Sequence, residues 1–123
     1  MIRNLIIALT VTMTMLNSAS AQMNETAIRH TVAFKLKHQK SSPQEQDFIA
    51  ALNKLSDIPG VKNFSLMNEI SKKNKFDYIL AMDFDTQQAY DQYNEHPDHV
   101  AFVQSRWLKE VEEFMEIDYG INK

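Results

Sequence analysis

No cysteine occurs anywhere in the chain. That absence removes disulfide staples, thiolate metal sites and attachment to a membrane through a lipid-modified cysteine. A basic stripe with interleaved aromatics is missing too. The 13 Lys and Arg stand against 16 Asp and Glu, for a formal charge of -3, so no nucleic-acid partner is expected. Nor is there a long apolar run. The most apolar stretch, Leu5 to Leu16 (LIIALTVTMTML), falls well short of the roughly 20 residues that a membrane-spanning helix needs.

That stretch instead has the form of a secretory signal. It follows a short cationic start at Arg3 and leads into the small-x-small pattern Ala19-Ser20-Ala21, with a cut expected before Gln22. The expected location is periplasmic or secreted, with no membrane association once the signal, residues 1–21, is removed. Loss of Arg3 takes the formal charge from -3 to -4 and leaves residues 22–123, enough for one domain only. An exported domain without disulfides must hold together by packing alone.

After a polar lead-in over residues 22–27, IRHTVAFKLK (28–37) alternates with a period of two, which predicts a strand. Ser42-Pro43-Gln44-Glu45 has the form of a capping box, and Phe48, Ile49, Leu52 and Leu55 follow at helical spacing. A helix is therefore expected over 43–55, stopped by Ile58-Pro59-Gly60. VKNFSLMNEI (61–70) and DYILAMDF (77–84) read as two strands of a hairpin across the polar SKKNK. Asp85-Thr86-Gln87-Gln88 resembles a second capping box ahead of a helix that turns Ala89, Tyr90 and Tyr93 inward. Pro97 opens a further helix with Val100, Val103, Trp107 and Val111 as its apolar stripe. That helix is read as carrying Glu110, Glu112, Glu113 and Glu116, before a short last strand at FMEIDY (114–119).

This order predicts an α+β, ferredoxin-like split βαβ domain, an antiparallel four-stranded sheet with helices on one face. The other face is expected to carry Thr31, Ala33, Ser65, Met67, Ile79 and Ala81. An open, partly apolar face of that kind marks a partner surface, and two sheets packed face to face would make a homodimeric α/β barrel.

YNEHPDHVAF (93–102) is the most distinctive stretch. Pro97 at the first helical position places His96 at the N-cap and His99 in the first turn, with Tyr93 arriving from the preceding helix. His30 and Tyr78 share the strand faces of Val32, Phe34, Leu80 and Met82. The expected ligand pocket is therefore lined by His30, Tyr78, Phe34, Leu80 and His96, with His99 and Tyr93 as its reactive pair. The positive end of a helix dipole disfavours an imidazolium, so His99 is expected to stay neutral and able to accept a proton. The tyrosine hydroxyl would stabilise an enolate. Simpler roles compete: His96 as a cap and His30 as a hydrogen-bonded core histidine. A metal site at His96, Asp98 and His99 lacks a recognisable third ligand spacing, and no metal or cofactor is expected.

These residues resemble the stress-responsive dimeric α/β-barrel family, often called Dabb. The similarity lies in IRHTVAFKLK, IPGVKNF, FDYILAMDF, YNEHPDHVAF and the closing FMEIDY, from Ile28 to Tyr119, within a domain expected over 28–121. The resemblance implies a ferredoxin-like fold and a sheet-to-sheet homodimer. One branch of the family, a plant polyketide cyclase, is a cofactor-free enzyme using a His and Tyr pair for aldol condensation. By resemblance these correspond to His99 and Tyr93, and a first-strand pocket histidine corresponds to His30. A third-strand pocket histidine is replaced here by Tyr78, and a first-helix pocket tyrosine falls near Ala51.

Three functions follow from this reading. The first is a dimeric barrel outside the cytoplasm that binds a small apolar or aromatic ligand, without assigned catalysis. The second is a cofactor-independent lyase or cyclase. The third, weaker, is a dimeric-barrel monooxygenase, a chemistry of related barrels. Amino-terminal sequencing of the protein recovered from an envelope or culture fraction is expected to begin at Gln22; a chain beginning at Met1 in that fraction overturns the cleavage.

Overall fold

The computed structural model describes residues 26–121; the expected signal segment and residues 22–25 of the lead-in lie outside the described residues. Strand β1 (Ala27–Leu36) leads to helix α1 (Pro43–Asn53), a 3-10 turn (Lys54–Asp57), and strands β2 (Lys62–Asn68) and β3 (Tyr78–Phe84). Helix α2 (Gln87–Glu95) is followed by α3 (Pro97–Phe102), a π-helical turn (Val103–Trp107), the short α4 (Leu108–Glu110) and strand β4 (Val111–Ile121). The strands pair antiparallel in the order β2-β3-β1-β4. This is the ferredoxin-like α+β fold. Among the described residues no helix is long and apolar enough to cross a membrane.

Alternation along β1 decides what each face does. His30, Val32, Phe34 and Leu36 are buried beneath the helices, while the residues between them take the other face. Phe34 is fully buried, its ring 5.3 Å from that of Tyr78, 5.1 Å from Trp107 and 6.2 Å from Phe48. That aromatic cluster joins sheet, α1 and the C-terminal helical segment in one core.

The helix starts follow local chemistry. Ser42 Oγ accepts from the Glu45 N–H at 3.2 Å, and the Glu45 carboxylate accepts in turn from the backbone N–H of Ser41. At α2 the cap is Thr86, whose Oγ1 accepts from the Ala89 N–H at 3.0 Å. The expected cap, Asp85, is instead paired with Lys62.

Two expectations at the C-terminal end are corrected. The helix does not present Val100, Val103, Trp107 and Val111 as one inward stripe. Val100 is exposed, Val111 already belongs to β4, and the buried anchors are Phe102 and Trp107. These are five residues apart, the spacing that a π turn brings into line. The helical segment also ends sooner than expected, so Glu112, Glu113 and Glu116 lie on β4. β4 is longer than expected because it pairs with β1 almost along its whole length, from Ala27 opposite Ile121 to Leu36 opposite Val111.

The open face holds the six expected residues in register: Thr31 opposite Ala81, Ala33 opposite Ile79, Ser65 opposite Ala81 and Met67 opposite Ile79. β4 adds Met115, Ile117 and Tyr119 to that face, all exposed. Replacing Phe34 by Ala is expected to cost about 3–5 kcal/mol of folding stability by emptying the aromatic cluster. Urea unfolding monitored by circular dichroism measures it, and a loss near zero would mean that the cluster does not organise the core.

Candidate active site

The helices do not fill all the space above the sheet. A cavity of about 230 Å³ lies over the region of β1 that carries His30 and Val32. Leu80 from β3, Leu52 from α1 and Leu55 from the following turn supply apolar walls. Phe102, Val103, Trp107 and Leu108 close it from the C-terminal helical segment, where the π turn contributes two of the four. The polar groups on the wall are His30, Tyr93, Asn94, His99 and Glu116. A hollow that is mainly apolar with a few polar groups is the usual construction of a small-molecule site.

His99 is set by the α2–α3 corner. Its Nδ1 lies 3.0 Å from the Asn94 carbonyl oxygen, which can only accept, so Nδ1 carries the proton. In the neutral ring Nε2 then holds the lone pair. The ring packs 4.4 Å from that of Tyr93. Burial pushes the His99 pKa below its ordinary value; the bond to the Asn94 carbonyl opposes this and the nearby His30 adds to it. The direction matches the expectation, but desolvation leads, rather than the helix dipole. Tyr93 is fully buried, and its phenol pKa is raised, first by burial and then by the neighbouring Tyr90 and Glu116. It therefore stays protonated and able to donate.

His30 is buried within a polar network. Its Nδ1 is 2.6 Å from Asp118 Oδ1, the residue directly opposite it on β4. Tyr90 donates to Asp118 Oδ2 at 2.9 Å, and its hydroxyl oxygen lies 3.0 Å from His30 Nδ1. A carboxylate on Nδ1 fixes the ring orientation and leaves Nε2 as the second nitrogen, in the manner of a histidine held by an acidic partner.

Of the seven residues expected at the site, His30, Leu80, Tyr93 and His99 line this one cavity. Phe34, Tyr78 and His96 do not. Tyr78 shares the face of His30 but is paired with Phe34, whereas His30 is paired with Met82. Four residues of strand separate the two sites, about 13 Å at 3.3 Å per residue. Tyr78 instead lines a groove with Glu45 and Leu66, and Phe34 is enclosed by other rings. His96 caps α3, its Nδ1 accepting from the Asp98 N–H at 3.1 Å. Among the described residues, no group of three or more His, Asp or Glu side chains is placed to hold a metal ion.

Four polar groups are not assigned to the site from the sequence: Asn94, Glu116, Asp118 and Tyr90, the last expected only to turn inward. FMEIDY is read as a strand, and period-two alternation along it puts Phe114, Glu116 and Asp118 on one face; because Glu116 is also counted with the helix, that face is not followed into the site.

The His99 ring is expected to titrate below 6.5 in a proton NMR pH series, and a midpoint at or above 6.5 contradicts its burial. The sign for stability follows. As pH falls through about 6.5 the unfolded chain takes up the proton first, so folding stability declines until the folded-state value is passed. In His99→Gln that part of the decline is absent in denaturant titrations at pH 5 and 7.

Comparison with known proteins agrees with this architecture. A Dabb family protein with a ferredoxin-like fold from Mesorhizobium loti superposes with a TM-score of 0.77 at 47% identity, covering 80% of this chain and all of that one. Olivetolic acid cyclase from Cannabis sativa is 27% identical over 90 residues, 68% of this chain and 89% of the cyclase. A stress-response A/B barrel domain-containing protein from Arabidopsis thaliana is 29% identical over 94 residues, 75% of this chain. That match spans only 36% of the length of the Arabidopsis protein. More distant neighbours of the same fold include dimeric ferredoxin-like proteins. The model of the stress responsive A/B barrel domain matches residues 28–121, and the chain therefore belongs to the Dabb family.

Proposed function

We propose that this protein is an exported homodimeric barrel that binds one small, mainly apolar aromatic molecule in the cavity beside Tyr93 and His99. The cavity itself carries the reading. An apolar hollow of about 150 Å³ binds benzene, so about 230 Å³ matches a single ring with a short substituent. Export rests on the Leu5 to Leu16 run and the small residues before Gln22. The homodimer rests on the open sheet face, where Met67, Met115, Ile117 and Tyr119 are each more than a third exposed. A four-stranded sheet with one bare face does not close into a barrel alone, and the dimeric neighbours supply a precedent.

A second reading, a cofactor-independent lyase or cyclase, is favoured by the protonation pattern at His99. With Nδ1–H donated to Asn94, Nε2 is free to remove a proton from carbon next to a carbonyl. A hydrogen bond from the Tyr93 hydroxyl would stabilise the resulting enolate oxygen. Olivetolic acid cyclase, a distant relative, makes this chemistry reasonable without fixing a substrate.

Native mass spectrometry of the purified protein is expected to show a dimer, and release under denaturing conditions a small aromatic. An empty cavity that also fails to take up any monocyclic aromatic overturns the binding role. Ile117→Glu, exposed in the protomer, is expected to give monomers by light scattering; unchanged mass removes the open face as the interface. For the second reading, His99→Ala and Tyr93→Phe are expected to retain ligand while losing turnover of a β-keto substrate by at least about tenfold, within the range for a lost general base.

A further inference from the structure

Of the Lys, Arg, Asp and Glu side chains among the described residues, the cavity wall bears a single one, and it is acidic. Neither Lys nor Arg lines the cavity, and its one carboxylate is Glu116 on β4. The other carboxylates of that strand are matched. Glu112 lies 3.6 Å from Lys35 Nζ, Glu113 lies 2.8 Å from Lys75 Nζ, and Asp118 holds His30 and Tyr90. Among the described residues no Lys, Arg or His forms an ion pair with Glu116. It is opposite Val32 in the β1 register, beside the cavity, and is itself exposed, which places it at the mouth rather than the floor. His99 is held neutral by burial and does not offset it.

We infer that the cavity takes an aromatic amine, a single ring on a short alkylammonium arm, with the ring inside and the ammonium at the mouth against Glu116. This rests on the reading of the cavity as a small-aromatic site and names the class of molecule it selects. A carboxylate or phosphate on the same ring would meet Glu116 with no Lys or Arg on the wall to compensate. An ammonium finds the carboxylate and the faces of Tyr93, Trp107 and Phe114, rings that attract a cation. Asn94, also on the wall and exposed, adds a side-chain carbonyl that can accept from the ammonium. The chain's net charge of -3 steers cations toward the site in the same sense.

Trp107 is the single tryptophan and lines the cavity, so its fluorescence reports occupancy directly. Benzylamine, benzyl alcohol and benzoate have nearly the same shape and differ in charge. Titrated against the full-length protein at pH 7, benzylamine is expected to bind more tightly than benzoate by about tenfold, with benzyl alcohol between them. In Glu116→Gln, whose thermal unfolding serves as the control for folding, the order is expected to collapse to within about twofold. Benzoate binding as well as benzylamine would overturn the amine preference while leaving the aromatic site intact. Preference for benzylamine that survives Glu116→Gln would overturn the role of the carboxylate. No response to any of the three probes would remove the site itself, and the inference with it.

Discussion

The register of β1 between β3 and β4 is the constraint on which the rest of the molecule depends. It places Met82 and Asp118 on either side of His30, and Tyr78 and Phe114 on either side of Phe34. Because side chains alternate with a period of two, a slip of one residue would send His30 and Phe34 to the open face and Thr31 and Ala33 into the core. The buried aromatic cluster resists that slip from the helix side. The Lys35–Glu112 pair lies across the same two strands but is exposed, and contributes little.

The cavity follows from how the helices meet this sheet. At one end, the rings of Phe34, Tyr78, Phe48 and Trp107 pack against one another. Nearer His30, the chain turns at the corner between α2 and α3, and the π turn carries Val103 and Trp107 to the cavity wall. The two histidines that face the hollow are held by fixed partners: His30 by Asp118 and Tyr90, His99 by the Asn94 carbonyl. Such fixed orientation lets a desolvated imidazole keep a defined lone-pair direction, which a mobile surface histidine lacks.

Much of the fold was legible in the residues because its signals are local. Alternation through IRHTVAFKLK, Ser42-Pro43 with Glu45, and Pro97 after His96 each act over a few residues, and each produced an element at the expected place. The last strand is expected from Phe114, and the error in its start has the opposite origin. Val111-Glu112-Glu113 suits a helix locally, and only the ladder to β1 makes it extended. The π turn was invisible for a similar reason: a 3.6-residue period selects Val100 and Val103 together with Trp107, whereas burial pairs Trp107 with Phe102.

Alone, the sequence determined the element order, the faces of β1 and β3, and the corner that brings Tyr93 near His99, since these depend on neighbours within a few positions. The tertiary structure decided which residues on a shared face actually meet. His30 and Tyr78 point to the same side yet belong to different ends of the sheet, while His30 and Asp118, 88 positions apart, are in contact. Alternation specifies a direction in space; only strand pairing specifies the distance along it.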